Sequence, residues 1–81
     1  MQTHEIEQLI EAGLPGARAL VRSGDGVHFD AAIIAPQFEG KRARERHRLV
    51  YATLGERMGG EIHALSLQTY SPAEWAEREQ P

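Results

Sequence analysis

The sequence predicts a single α/β (α+β) domain built on a three-stranded mixed sheet. Three observations point to it. Apolar residues recur at helical spacing over residues 3–13 and 42–58, and they alternate at strand spacing over 17–22, 27–35 and 62–70. A long helix also separates the second strand from the third, and such crossovers join parallel strands. With 81 residues the chain has room for one domain, residues 1–81, and one small core.

Residues 3–13 form the first helix. Thr3 is placed to cap it, Glu5 and Glu7 sit at its positive end, and Ile6, Leu9 and Ile10 make an apolar stripe. Gly13 is expected to supply a left-handed C-cap, with Pro15 beyond it as a stop. A short strand over 17–22 follows, then the turn Ser23-Gly24-Asp25-Gly26, then a stronger strand over 27–35. The short glycine-rich link predicts an antiparallel hairpin. In the second strand Phe29, Ala31, Ile33 and Ala35 share one face, and His28, Asp30, Ala32 and Ile34 share the other.

Pro36 ends that strand, and Phe38 and Gly40 occupy a compact turn before the helix over 42–58. There Ala43, His47, Val50, Leu54 and Met58 fall in one sector, Arg44 and Arg48 form a basic edge, and Gly59 and Gly60 are the expected stop. The third strand carries His63, Leu65, Leu67 and Thr69 on one face. Ser71, Pro72 and Glu74 then read as N-cap, N1 and N3 of a capping box opening a short helix that contains Trp75 and frays after about residue 77.

Cysteine is absent, which removes disulfides, a thiol nucleophile and any metal site made from the chain's own thiolates. The opening MQTHEIEQ has no basic region followed by an apolar run, and no stretch approaches the roughly 20 apolar residues of a membrane span. A soluble cytoplasmic protein, free as a monomer or weak dimer, is therefore expected. The net charge of -3 is unevenly spread: five of the nine Lys and Arg residues lie in the segment KRARERHR. Lys41, Arg42, Arg44 and Arg48 read as a solvated helix face, a docking patch for an acidic partner, or a phosphate-binding surface.

Parallel second and third strands would bring their N-terminal ends, marked by His28 and His63, to one end of the sheet. Each histidine alone also reads blandly, His28 as a surface strand residue and His63 as a partly buried ring bonded to backbone. Together they are two neutral imidazoles suited to iron, zinc or copper, in a set that no carboxylate clearly completes, although Asp25 and Asp30 are near in sequence. Such a site suits ligands from a partner. His47 reads as structural, on the face it shares with Val50 and Leu54, and His4 carries little weight near the terminus. Catalysis is not expected. Ser23 or Ser66 with a histidine lacks an elbow, an oxyanion hole and an orienting carboxylate, and neither GxGxxG nor a Walker sequence occurs.

The segments FEG, RHRLVY, IHAL and TYSPAEW, in that order and spacing over residues 38–75, resemble the BolA family, and SGDGVHF is similar to its IbaG-like branch. The resemblance implies an αββ(α)αβα fold related to class II KH domains. It implies a monothiol glutaredoxin as partner and a [2Fe–2S] cluster bridged between the two, with a glutaredoxin cysteine and a glutathione thiol on the far side. The family histidine of IHAL corresponds to His63, and the second ligand, before the second strand, corresponds to His28. The implied role is a non-catalytic adaptor in iron–sulfur trafficking, assembly or iron sensing. Some members of the family are described as transcriptional regulators linked to stress or morphology, which keeps DNA as an alternative partner.

Overall fold

The computed structural model describes residues 1–62 and 64–79. Its elements are α1 (Thr3–Gly13), β1 (Arg18–Arg22), β2 (His28–Ile34), a 3-10 turn (Pro36–Phe38), α2 (Ala43–Leu54), a second 3-10 turn (Gly55–Arg57), β3 (Ala64–Tyr70) and α3 (Pro72–Glu79). This is the anticipated αββ(α)αβα order.

The sheet order is β1-β2-β3. Strands β1 and β2 are antiparallel, with Arg22 opposite Asp30, while β2 and β3 run parallel, with His28 opposite Ala64 and Ile34 opposite Tyr70. Both the hairpin and the crossover are as the turn composition and the intervening helix require. Helices α1 and α2 cover one face. Ile6, Ile10, Phe29, Ile33, Phe38, Val50, Leu54 and Ile62 are buried there with almost no exposure. On the opposite face Leu20, Arg22, Asp30, Ser66 and Gln68 are exposed. No helix among the described residues is long and apolar enough to cross a membrane.

Several local expectations are corrected. Gln2, not Thr3, is the N-cap of α1, and its N–H donates to Glu5 Oε1 at 3.0 Å. Gly13 is the last helical residue and takes no left-handed cap. A Cβ there would come within 2.5 Å of Thr53 Cγ2, so the glycine is there for the close approach of α1 to α2. Helix α2 stops at Leu54, before the Gly59-Gly60 pair, because Gly55 turns the backbone to φ 57°.

The buried face of α2 also differs. Arg46, Val50 and Leu54 form it, while Ala43 is exposed and His47 only half-buried. An arginine can stand in that row because its charge is matched. Its Nη1 and Nη2 donate to Glu74 Oε1 and Oε2 at 2.7 and 3.2 Å, Nη1 also donates to Thr69 O, and Nε donates to Lys41 O. The predicted capping box closes on the same carboxylate: Ser71 N–H donates to Glu74 Oε1 at 2.8 Å and Glu74 N–H to Ser71 Oγ at 3.2 Å. Helix α3 spans Pro72–Glu79, and the Arg78 guanidinium lies over the rings of Tyr70 and Trp75.

Candidate metal centre

The turn that leads into β2 is organised around one carboxylate. Asp25 Oδ1 accepts the backbone N–H groups of Val27 and His28, at 2.9 and 2.8 Å. These are the bonds an aspartate makes when it caps its own turn. Ser23 Oγ accepts from Gly26 N–H at 2.8 Å and donates to His28 O at 2.7 Å, which clasps the turn from the other side. The second oxygen, Asp25 Oδ2, lies 2.8 Å from His28 Nδ1.

The His28 ring thus leaves the first position of β2 with one nitrogen held. Its side chain is 71% exposed and that of Asp25 54%, so the ring stands at the surface. The contact with the ring, followed by the His28 and Val27 N–H bonds, holds the Asp25 carboxyl well below the usual carboxylate range. The other ring nitrogen, Nε2, has no hydrogen bond from the described residues.

Register brings β3 to the same place, since Ala64 stands opposite His28 in the parallel pair. His63, the other expected ligand and the residue before Ala64 in the sequence, lies outside the described residues. Among the described residues no three His, Cys, Asp or Glu side chains converge on one point. One imidazole is too few ligands for a closed metal site, so any metal held here would need ligands from elsewhere to finish its coordination.

The basic segment belongs to the other end of the strands. Lys41, Arg42, Arg44 and Arg48 are all exposed. Arg46, between them, reaches Thr69, which pairs with Ile33 near the far end of β2 from His28. The structure therefore does not bring the cations to the histidine. His47 lies edge-on to Tyr51, with ring centroids 6.4 Å apart, and Trp75 edge-on to Tyr70 at 5.1 Å. The sequence does contain a G-x-x-G spacing, Gly13 to Gly16, but Gly13 is packed against Thr53 and Leu14 is buried.

Two contributions escaped the sequence reading. The Asp25–His28 contact was within reach, because an aspartate in a glycine turn three residues before a histidine is an Asx-turn pattern. The Arg46–Glu74 pair spans 28 positions and left no local signal.

A family model described as BolA-like protein matches residues 10–74. Human BolA-like protein 1 is 45% identical over 60 residues, which is 74% of this chain and 44% of that protein. The DNA-binding transcriptional regulator BolA of Escherichia coli K12 is 40% identical over 55 residues, 68% of this chain and 52% of that protein. The chain thus spans about half the length of these curated relatives, or less. A solved BolA protein homologue from Coxiella burnetii superimposes with a TM-score of 0.84 at 51% identity, covering 94% of this chain and 97% of that one. With the helix and strand order, the mixed sheet and the match from α1 into α3 in agreement, the chain belongs to the BolA family.

Proposed function

We propose that this chain is a non-catalytic adaptor that pairs with a monothiol glutaredoxin in the cytoplasm and shares a [2Fe–2S] cluster with it. His28 and His63 are the imidazole ligands on this side, and the partner's cysteine and a glutathione thiol are those on the other. The observation that carries the reading is the exposed His28 ring at the head of β2, held at Nδ1 with Nε2 toward solvent. A chain without cysteine has no thiolate to offer iron, and imidazole suits a centre finished by thiolates from elsewhere. When bound, the cluster supplies one-electron chemistry and a cargo of iron and sulfide, and replacing thiolate by histidine raises its potential. SGDGVHF and the short β1–β2 link support placing the chain in the IbaG-like branch.

The test is reconstitution of the full chain with a monothiol glutaredoxin, glutathione, iron and sulfide, followed by visible circular dichroism. The expected result is a heterocomplex spectrum that His63→Ala alters or abolishes. A wild-type mixture showing only the glutaredoxin homodimer spectrum would overturn the proposal.

A second reading, a nucleic-acid-binding regulator, is favoured by the name of the Escherichia coli relative and by exposed Lys41, Arg42, Arg44 and Arg48. It predicts DNA binding that weakens steeply with salt and is lost when Arg44 and Arg48 are neutralised.

A further inference from the structure

We infer that Asp25 is the positioning residue of this site: it fixes the neutral His28 ring as the Nδ1–H tautomer and so makes Nε2 the ligand atom. The identity of the ligand atom rests on the proposed cluster-sharing role, whereas the tautomer is a property of the free chain.

The turn holds the carboxylate mechanically. Asp25 Oδ1 is tied by two backbone donors, Val27 N–H and His28 N–H. With one carboxylate oxygen pinned, the plane of the group is set and Oδ2 has one place to go, 2.8 Å from His28 Nδ1. Ser23 secures the turn independently through His28 O and Gly26 N–H. The acceptor is therefore in position before any partner arrives.

The chemistry then follows. An ionised carboxylate only accepts hydrogen bonds, so the ring nitrogen facing it must carry the hydrogen. In the neutral ring the lone pair is left on Nε2, in a side chain that is 71% exposed. A free imidazole side chain favours the opposite tautomer, which would present Nδ1, the nitrogen close to its own backbone. A carboxylate on the far nitrogen also makes the donor more basic and stops a ring this exposed from rotating. The acid that does this lies three residues before its histidine, within a single turn.

The experiment uses the uniformly 15N-labelled full chain at alkaline pH and reads His28 Nδ1 and Nε2 in long-range 1H–15N correlation spectra. Wild type is expected to be mostly Nδ1–H. Asp25→Asn keeps an oxygen for the Val27 and His28 N–H groups but turns an NH2 donor toward Nδ1. The Nδ1–H form should then fall to a minority while the amide spectrum stays folded. A wild-type ring that is mostly Nε2–H, or a tautomer ratio unchanged in Asp25→Asn, overturns the inference.

The second readout is loss of the cluster from the complex with monothiol glutaredoxin and glutathione, followed by visible circular dichroism. Asp25→Asn should lose it about tenfold faster than wild type, the scale on which ligand-orienting partners act. If His28→Ala changes the cluster and Asp25→Asn does not, the positioning role fails and the cluster-sharing role stands. If no heterocluster forms with wild type but the tautomer switches as expected, the cluster-sharing role fails and the positioning of the ring stands.

Discussion

Arg46 is the one buried charged side chain among the described residues, and its removal should destabilise the fold. Replacing it with methionine keeps an unbranched apolar stem and removes the guanidinium. Four hydrogen bonds go with it: one to Lys41 O, one to Thr69 O and two to Glu74. So does the stacking on Phe38, where the guanidinium carbon sits 5.7 Å from the ring centroid. A hydrogen bond from a charged group contributes about 1.5–3 kcal/mol net. Part of the total is recovered, because the guanidinium no longer has to be desolvated and the half-exposed Glu74 turns to water. A loss of about 2–4 kcal/mol remains after that offset. For a domain of this size it corresponds to a fall in Tm of about 10–25 °C. Urea unfolding followed by the fluorescence of Trp75, the single tryptophan, measures it. Arg44→Ala, on an exposed residue of the same helix, is the control and should stay within about 0.5 kcal/mol of wild type. If Arg46→Met is also within that margin, the keystone role assigned to the buried guanidinium is wrong.

The same pair sets an acid limit. The Arg46 guanidinium, then the Ser71 N–H, hold the Glu74 carboxyl down to about 2. A carboxylate depressed by folding stabilises above its ordinary range, and that stabilisation is lost as pH falls from about 4.3 toward 2. In Arg46→Met the slope of stability over this window should flatten, and urea midpoints at successive pH values check it. Gly13→Ala should destabilise the fold by about 1–3 kcal/mol, since the new methyl group has no room against Thr53, and Thr53→Ser should restore part of the loss. Thermal melts of the three variants test that. Glu11 and Glu7 of α1 accept the N–H groups of Ala19 and Val21 on the edge strand β1, at 3.0 and 2.9 Å. Replacing both with alanine should lower the denaturation midpoint and raise self-association through the uncovered edge, as read by sedimentation velocity.

Element order and strand pairing were legible because their causes are local. Alternation in 27–35 assigns faces residue by residue, the SGDG turn demands a hairpin, and Ser71-Pro72-Glu74 announces α3. The parallel β2–β3 pairing followed from one intervening helix. What sequence misassigned depends on contacts between distant segments. Arg46 looks like a surface cation until Glu74 and Thr69 are folded against it, so apolar periodicity shifted the buried row of α2 to Ala43 and His47. Gly13 looks like a cap until α2 is set beside it, and then only its lack of a Cβ matters. At the candidate site, His28 was visible as a strand residue after a turn, but Asp25 counted only as a near neighbour. Its two oxygens do different jobs, one closing the turn and one holding the ring, and a residue count does not separate them.

In the proposed complex, histidine nitrogen from this chain ligates a cluster held jointly with a glutaredoxin. Pulsed electron paramagnetic resonance on the reduced, reconstituted heterocomplex tests it most directly, because a ligating imidazole nitrogen couples strongly to the cluster spin. Wild type should show such couplings, and His28→Ala should lose one set of them. A heterocomplex cluster with no strongly coupled nitrogen, and a spectrum indifferent to His28→Ala and His63→Ala, would contradict it.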